Sequence, residues 1–515
     1  MGVDAGHGAH SLLRRIVAVV RLLIRKFAML AVVLVIALVG LRAWQSTQGP
    51  PLRPWHTLVP DEPSAEAIAR SDWPTYVGVE ARMFDQLHRG LQEAMDAGDR
   101  TPLNRYNDGS LASPTAFERD WNRSFLLEPA TRASGVVVLL HGLSDSPYSM
   151  RTLAELYRRH GFVAIVPRMP GHGTVPAGLT REGRKEWEAT VEMAMAEARR
   201  RSGGHLPVQL VGYSNGGALA MLHVLRRIGR GERNDVDRIV LLSPMIEVNA
   251  FARYAGLAGV PAYFGRYAKS AWLDLLPEYN PFKYNSFPVR AARESYLVTS
   301  ELQDAIALVT RQGALDKVPP ILAFQSVVDD TVTAQAVMTR LFDALPANGS
   351  ELVLFDVNHS RILDPILRGS ATDWSSDALQ GAPRHYTVTV LGTTSETDES
   401  VVARSRPAGA STLQEHATGL RYPNDLYSLS HIALPFPADD PLYGNRPAQR
   451  RILQLGSVAV RGERNTLAVS QDSLNRLTYN PFYAYMAARI EGKLIEGRLI
   501  EGRLIQSRPP SPSTR

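Results

Sequence analysis

The chain has 515 residues, of which 44% are hydrophobic and 21% charged, a composition typical of a globular protein and not of a disordered one. Its formal net charge of +6 comes from the two ends: residues 1–42 contain six basic residues and one acidic residue, residues 489–515 contain six and three, and the body between them carries −2. This distribution argues against a nucleic-acid-binding face on the body. The absence of cysteine excludes disulfide bonds and thiolate metal sites.

The N-terminal segment has the pattern of a membrane anchor. Basic side chains are interspersed with apolar ones in residues 12–26, and the fifteen uncharged residues 27–41 follow. Fifteen helical residues span roughly 22 Å, less than the ~30 Å hydrocarbon core, but Lys26 and Arg42 can extend towards the two interfaces. We predict that residues 1–44 cross the inner membrane once and place the rest of the chain on the periplasmic side, because the basic cluster favours the cytoplasm. A cleaved signal peptide and a buried helix are the alternatives, although no clear small-x-small cleavage site follows the apolar run.

The next segment, residues 45–120, is called the lead-in. We predict that it consists of a Pro-rich linker followed by helical structure. Six prolines lie between residues 45 and 75, and they favour extended backbone. An amphipathic helix is predicted from Val79 to Ala97. A short strand over residues 123–127 then enters the main domain, which we place at residues 121–485.

Apolar strands and helices alternate through the main domain. The predicted strands cover residues 135–140, 162–167, 208–213, 237–243, 320–325 and 351–355, and the predicted helices include 150–160 and 184–201. Continuous apolar runs separated by helices predict an α/β fold with a mostly parallel sheet and helices on both faces.

Two insertions and a tail depart from this alternation. Residues 245–315 contain eleven aromatic side chains, which fits a helical subdomain with its own core, a lid that supplies an apolar acyl pocket, or both. Residues 368–420 are polar apart from one strand-like run at 386–391. Residues 486–515 are predicted to be a low-complexity repeat tail: a five-residue unit that starts at Ile490 fits neither helix nor strand, and the Pro/Ser-rich stretch after it is typical of disorder.

The central motif is Gly212-Tyr213-Ser214-Asn215-Gly216, which follows an apolar strand and precedes a helix of small residues. A Gly-x-Ser-x-Gly sequence carries chemistry in this setting, because the strained turn holds the hydroxyl at the N-terminus of the helix. Ser214 is therefore the predicted nucleophile. The alternative is a Gly-rich turn with an uninvolved serine.

A nucleophilic serine in acyl transfer needs an oxyanion hole, a base and an acid that orients the base. The backbone N–H groups of Leu143 and Asn215 are the candidates for the oxyanion hole. The candidate acid is Asp329, just past the carboxyl end of the fifth strand, where open α/β sheets place their active sites. Asp330 is the alternative acid, and its other role is to cap the following helix.

Two histidines compete for the role of base. His359 follows the sixth strand directly, whereas His431 lies in a segment that three nearby prolines stiffen. Either can instead be a surface or core residue with one backbone hydrogen bond. His172, in the turn after the second strand, is expected to be structural. The thirteen histidines show no metal-ligand spacing, so no metal and no cofactor are predicted.

Four motifs together resemble the α/β-hydrolase superfamily, in particular its carboxylesterase, monoacylglycerol lipase and lysophospholipase branch. They are Leu139–Gly142, Pro167–Gly173, Gly212–Gly216 and Asp329–Val332, and the resemblance covers about residues 120–360. It implies the α/β-hydrolase fold with Ser214 as nucleophile, Asp329 as acid, and Leu143 and Asn215 as oxyanion hole. The polar insertion and the Ser430-His431 block depart from the minimal pattern. That block is similar to one in long, membrane-anchored bacterial members.

The expected function is that of a membrane-anchored serine hydrolase that cleaves lipid-like or aryl carboxylic esters through an acyl-enzyme. Its expected partners are an ester or lipid substrate and the membrane, with no nucleic acid. One alternative is a serine peptidase or acyltransferase that uses the same residues. Another, of a different class, is a non-catalytic hydrolase fold that serves as an envelope-associated binding module.

Overall fold

The computed structural model describes residues 5–248, 255–359, 373–395, 397–447, 453–457, 467 and 469–505. Its strands are β1 Phe125–Leu127, β2 Gly135–Leu140, β3 Phe162–Val166, β4 Val208–Tyr213, β5 Arg238–Leu242, β6 Trp272–Asp274, β7 Phe287–Pro288, β8 Ile321–Ser326, β9 Glu351–Phe355, β10 Thr387–Ser395, β11 Asp398–Arg406 and β12 Gln414–Arg421. Its α-helices are α1 Ala5–Ser46, α2 Pro54–Thr57, α3 Ala65–Ala69, α4 Trp73–Ala94, α5 Arg151–Arg159, α6 Arg184–Ser202, α7 Asn215–Gly229, α8 Ala255–Ala258, α9 Val289–Arg311, α10 Ala334–Ala336, α11 Asp373–Leu379, α12 Gln471–Leu474 and α13 Tyr483–Ile505.

Ten of these strands form one sheet, in the order β1-β3-β2-β4-β5-β8-β9-β10-β11-β12. The strands from β3 to β10 in this order pair in parallel, whereas β1, β11 and β12 pair antiparallel at the two edges. The mostly parallel sheet predicted from the sequence is therefore confirmed, and six of its strands lie where the apolar runs predict them.

The sheet buries apolar side chains on both faces, as β2 illustrates. Val136 and Val138 join one core cluster with α6, α7 and α9, whereas Val137 and Leu139 join the other with α5 and α13. Successive residues of a strand point to opposite faces, so a strand covered on both sides is apolar at every position. This explains the uninterrupted apolar runs in the sequence.

The polar insertion is more ordered than its composition indicates. Strand β10 pairs in parallel with β9, and β11 and β12 continue the sheet from it. Val388, Val390, Val401 and Ala403 of β10 and β11 are buried, while every residue of β12 is exposed or half-buried. The polar composition reflects an antiparallel edge with one solvated side and a polar last strand.

The prediction that the five-residue repeat fits neither helix nor strand is wrong. Residues 483–505 form α13, and Met486, Ile490 and Leu494 pack into the core beside the sheet. Although the repeat has a period of five, the Ile and Leu within each unit are four residues apart and therefore share a helix face. The Pro/Ser-rich end, residues 506–515, lies outside the described residues.

The lead-in is not an extended linker but part of the folded domain. Trp55, Ile68 and Tyr76 are buried, and the short helices α2 and α3 interrupt the Pro-rich stretch. The predicted amphipathic helix is present as α4, which begins six residues earlier than expected, because Asp72 caps it and Pro74 occupies its first turn.

A buried ion cluster joins this lead-in to the main domain. The two Nη atoms of Arg168 donate to the two carboxylate oxygens of Glu62 at 2.8 Å, and its Nε donates to Glu80 at 2.9 Å. The side chains of Arg168 and Glu62 are fully buried. Burial raises the pKa of Glu80, an effect opposed by the Arg168 charge and by hydrogen bonds from Ser124.

We expect the Glu62→Gln substitution to lower the free energy of unfolding by about 3 kcal/mol, because breaking a buried pair leaves Arg168 without a full counter-charge. The measurement is the urea midpoint of the detergent-solubilised protein, followed by tryptophan fluorescence. Glu155→Gln is the matched control, since Glu155 pairs with Arg158 in a more exposed position and its loss should barely move the midpoint. Equal midpoints for the two variants would contradict a stabilising role for the cluster.

The N-terminal helix α1 is apolar and exposed. Its segment Ile16–Ser46 is long and apolar enough to cross a membrane, a property shared by membrane anchors and signal sequences, and none of its apolar window is buried. The end of α1 contacts the segment after α8: Arg42 donates to the Trp272 carbonyl, and Lys269 donates to the carbonyls of Gln48 at 2.9 Å and Gly49 at 3.2 Å.

Candidate active site

Ser214 lies on a sharp turn between β4 and α7. Its φ of 53° and ψ of −116° are unusual for a residue with a side chain, and such strain is typical of nucleophile turns. A Cβ at Gly212 would lie 2.5 Å from the Gly216 carbonyl oxygen, and one at Gly216 would lie 2.2 Å from that of Leu140. Both glycines are therefore required for the close approach of strand and helix.

Asp329 lies in the loop after β8 and contacts His431. The two side chains meet at 2.7 Å between Nδ1 of His431 and Oδ2 of Asp329, and they are 3% and 0% exposed. Oδ1 of Asp329 accepts hydrogen bonds from the backbone amides of Thr331 at 2.9 Å and Val332 at 3.2 Å. Oδ2 also accepts from the side-chain amide of Gln325 at 2.9 Å. The carboxylate is thus held in one orientation.

The pKa of Asp329 is lowered despite burial. Burial alone would raise it, but the neighbouring His431 and the hydrogen bonds from His431, Val332 and Thr331 outweigh that effect. Asp329 therefore stays ionised at neutral pH and accepts the Nδ1 proton of His431. In the neutral imidazole tautomer with its proton on Nδ1, Nε2 is the proton acceptor.

His431 also lies against the strand that carries Ser214. Its ring centroid is 5.4 Å from that of Tyr213, and the Tyr213 hydroxyl donates to the His431 carbonyl at 3.4 Å. The structure thus brings His431 and Asp329 together beside the turn that holds Ser214.

The other two candidates lie apart from this arrangement. His359 is paired with Asp356, at 3.6 Å between Nε2 and Oδ2, and its side chain is 35% exposed. Asp330 is exposed and does not contact His431 among the described contacts. Of the alternatives left open by the sequence, the structure therefore joins His431 to Asp329, and it places His359 and Asp330 elsewhere.

The segment before His431 is held against the end of β9. The Tyr422 hydroxyl donates to the Asp356 carbonyl at 3.1 Å, and the Asn358 amide donates to the Tyr427 carbonyl at 2.9 Å. After β9 the chain therefore forms β10, β11 and β12 at the edge of the sheet, and it then returns to the end of β9. This return brings His431 to the loop of Asp329 from 102 residues away in sequence.

The segment after His431 is fixed by the buried carboxylate of Asp440. It accepts hydrogen bonds from the Tyr148 hydroxyl at 2.8 Å and from Arg151 at 3.2 Å. The backbone amides of Leu442 and Tyr443 donate to the same carboxylate, both at 2.9 Å. The three prolines predicted a stiff segment here. Nothing in the sequence indicated that Tyr148 and Arg151 hold it, because these two residues lie in α5 and in the turn before α5.

The loop after β2 lies beside Ser214. A Cβ at Gly142 would be 3.3 Å from the Ser214 Cβ, which places the next residue, Leu143, near the nucleophile. The amides of Leu143 and Asn215 donate to no other group among the described contacts. The loop is anchored by the Tyr284 amide, which donates to the Ser144 carbonyl at 2.8 Å.

His141 and His172 are buried and packed ring against ring, with centroids 5.1 Å apart. Nε2 of His141 accepts the Met169 amide proton at 3.0 Å, so this ring ties the loop after β2 to the loop after β3. Burial lowers the pKa of His141 to about 4, and it lowers the pKa of His172 well below its usual range. Both are therefore neutral and structural, as expected for His172.

The residues of the aromatic insertion lie in three different environments. Helix α9 buries Val298, Leu302 and Ile306 in the main core, so it is a core helix. Phe282 is buried and stacks on Tyr148, with centroids 4.1 Å apart. Between α8 and β6, by contrast, Tyr263 is 90% exposed. Residues 249–254, near the start of the insertion, lie outside the described residues.

A cavity of about 1020 Å³ opens next to the site. Its wall includes Tyr213 and Ile432, the chain neighbours of Ser214 and His431, together with parts of the lead-in, the aromatic insertion and the C-terminal segment. Lys283 and Arg476 also line it, and neither stood out in the sequence, where no local motif surrounds them.

Comparisons with known proteins agree with this architecture. Residues 137–368 match the model of the alpha/beta hydrolase family. The thermostable monoacylglycerol lipase of Bacillus sp. (strain H-257) is 29% identical over 219 residues, which cover 42% of this chain and 79% of that protein.

Two solved structures are among those to which this chain is similar. A monoacylglycerol lipase from Paleococcus ferrophilus is 19% identical and covers 45% of this chain and 89% of its own, with a TM-score of 0.34. Est1E from Butyrivibrio proteoclasticus with bound ferulic acid is 16% identical and covers 45% and 85%, with a TM-score of 0.33. The family match ends at residue 368, before His431.

Proposed function

We propose that this chain, an enzyme of the α/β-hydrolase superfamily similar to carboxylesterases and monoacylglycerol lipases, cleaves carboxylic esters through an acyl-enzyme on Ser214. The observation that carries the proposal is the 2.7 Å contact between His431 and Asp329, both buried, beside the strained turn of Ser214. A serine, a histidine and an oriented carboxylate form the set that acyl transfer requires.

In the proposed reaction His431 is the base and Asp329 the acid. Nε2 of His431 takes the hydroxyl proton of Ser214 while the serine oxygen attacks the ester carbonyl. Asp329 holds the imidazole in the tautomer that leaves Nε2 free, and it stabilises the imidazolium that forms. His431 then gives the proton to the departing alcohol. A water molecule releases the acid from the acyl-enzyme by the same steps.

The amides of Leu143 and Asn215 are the proposed oxyanion hole. Asn215 is the first residue of α7, so its N–H has no partner within the helix and adds to the positive end of the helix dipole. Leu143 follows Gly142, at which a Cβ would lie 3.3 Å from the Cβ of Ser214. Two N–H donors fixed by the backbone stabilise the negative oxygen of a tetrahedral intermediate without having to reorganise.

A lipid-like or aryl ester is the proposed substrate class. The cavity beside the site is lined by apolar residues, among them Leu276, Ile432, Phe436 and Leu455. The relative from Bacillus is a monoacylglycerol lipase, which fits an acyl ester of glycerol. Helix α1 is proposed to be an uncleaved inner-membrane anchor with the catalytic domain on the periplasmic side. The hydrogen bond from Arg42 of α1 to the Trp272 carbonyl supports retention of the helix, and the basic cluster before the apolar run supports the orientation.

The proposal is tested with p-nitrophenyl esters of increasing acyl length, from two to twelve carbons. We expect turnover, with kcat/KM at least tenfold higher for the eight-carbon ester than for the two-carbon ester, because each buried CH2 adds about 0.8 kcal/mol. Absence of turnover in a folded protein whose Ser214 does not react with a fluorophosphonate would instead support a non-catalytic binding module. Labelling without turnover of any ester would favour the peptidase or acyltransferase alternative.

A further inference from the structure

Several apolar side chains are exposed in the segment that follows α8. Tyr263 is 90% exposed, Phe264 68%, Leu273 42% and Val260 38%. Beyond α1, Phe264 is the one exposed phenylalanine among the residues that the structure describes. Exposed apolar side chains that are grouped rather than scattered mark a surface that contacts another molecule or a membrane. We call these four residues the exposed patch.

The exposed patch is held at the end of the N-terminal helix. Arg42 of α1 donates to the carbonyl of Trp272, which directly precedes Leu273 of the patch. Arg42 is also the first charged residue after the apolar run 27–41, so it marks the depth at which α1 leaves the hydrocarbon core. Trp272 and Leu273 therefore lie near the same depth as this end of α1.

The residues around the patch suit the lipid headgroup layer. Residues 255–273 contain Arg266 and Lys269 and no acidic residue, so the segment is attracted to anionic headgroups. Trp44, at the end of α1, is 63% exposed. Exposed Trp and Tyr side chains are typical of the boundary between hydrocarbon and water. The anchor and the patch thus present the same kind of surface side by side.

The cavity beside the site reaches the same junction. Pro50 and Asp274 line it, and both are exposed. Pro50 follows the two residues whose carbonyls accept hydrogen bonds from Lys269, and Asp274 follows Leu273 of the patch. The buried part of the cavity wall includes Tyr213, the chain neighbour of the nucleophile. The cavity therefore extends from the junction of anchor and patch to the site.

We propose that the exposed patch rests in the lipid headgroup layer beside α1 and holds the cavity mouth against the bilayer, so that the ester enters from the membrane and not from water. The occupant of the patch is the leaflet from which α1 emerges, and not a second copy of the chain. Binding of such a surface grows with the apolar area that enters the lipid and with attraction to anionic headgroups. The inference rests on the proposed ester hydrolysis at Ser214 and on α1 as a retained anchor.

The first test measures the depth of the patch in vesicles of phosphatidylethanolamine and phosphatidylglycerol. The chain has no cysteine, so Gly265→Cys in the full-length protein provides a single attachment site for an NBD fluorophore. A Cβ at Gly265 meets no atom within 4 Å, so the neighbouring Phe264 stays in place. We expect quenching by lipids with a nitroxide on the fifth acyl carbon, and weaker quenching with a nitroxide on the twelfth. Ser411→Cys, at an exposed serine before β12, is the matched control and should not be quenched.

The second test compares an ester in the bilayer with an ester in water. In the double variant Tyr263→Ser/Phe264→Ser, hydrolysis of monooleoylglycerol in vesicles should fall about tenfold or more, because the patch no longer enters the lipid. Hydrolysis of dissolved p-nitrophenyl acetate should stay close to the wild-type rate, since neither residue lines the cavity. Leu413→Ser makes the same kind of change at an exposed leucine outside the patch and should leave both rates unchanged.

Three results would overturn the inference. Equal quenching in Gly265→Cys and Ser411→Cys would show that the patch does not enter the lipid. A blue-shifted NBD spectrum in Gly265→Cys without quenching by either lipid would show that protein, such as a second copy of the chain, covers the patch. An equal loss for both esters in the double variant, or no loss, would exclude delivery from the bilayer. Failure of the proposed function is recognised separately, because quenching needs no turnover and Ser214 would then not react with a fluorophosphonate.

Discussion

The Ser214→Ala variant is expected to lose about 10⁴- to 10⁶-fold in kcat on any ester that the wild-type enzyme turns over. Removing the nucleophile abolishes the acyl-enzyme route, and the activity that remains comes from the oxyanion hole and substrate binding alone. The hydroxyl itself is small, so the variant should keep its fold. The measurement is kcat on p-nitrophenyl octanoate, together with labelling by a fluorophosphonate.

The control for this variant is Ser411→Ala, at an exposed serine of the loop before β12, which should be indistinguishable from wild type. Circular dichroism and the urea midpoint establish that each variant is folded. Activity of Ser214→Ala within tenfold of wild type would rule out the acyl-enzyme mechanism at this residue. Labelling of Ser214→Ala by the fluorophosphonate would point to another nucleophile.

The two histidines are expected to differ sharply. His431→Ala should lower kcat by about 10³- to 10⁶-fold, because His431 is the residue in contact with Asp329 beside Ser214. His359→Ala should change kcat less than about threefold, since His359 is paired with Asp356 and is 35% exposed. Each variant is assayed with p-nitrophenyl octanoate from pH 5 to pH 9, so that a shifted optimum is not mistaken for a loss.

The opposite ranking of the two variants would assign the base to the position directly after β9. Equal, small losses in both would exclude a histidine base altogether. Asp329→Asn adds an independent check: it should cost about 10⁴-fold, because an amide in place of the carboxylate favours the wrong tautomer of His431. Asp330→Asn is its matched control, as the neighbouring and exposed carboxylate.

Features set by local sequence could be predicted, and these include much of the sheet. Strands buried on both faces are apolar throughout, so β2, β3, β4, β5, β8 and β9 were recognisable one by one. The turn at Ser214 was also visible, because Gly212 and Gly216 are required by contacts within and next to the motif. The position of Asp329 followed from the general rule that sites lie at the carboxyl ends of parallel strands.

Features set by distant contacts could not be predicted. The choice between His359 and His431 depends on where the chain returns after β12, and this return is held by hydrogen bonds to residues 356–358. Polar composition concealed β11 and β12, since an edge hairpin is solvated on one side. The lead-in was mistaken for a linker because its buried partner, Arg168, lies about a hundred residues further on.

The buried cluster of Glu62, Arg168 and Glu80 also determines where the polypeptide tolerates a break. Residues 47–51, just after α1, are exposed, and they precede the first buried residues of the lead-in. Cleavage there would separate α1 from the domain that follows, with all three members of the cluster still on one chain. Cleavage after residue 62 would instead separate Arg168 from its bidentate partner. A form of the protein without α1 thus keeps the buried cluster on one chain only if it begins before Glu62.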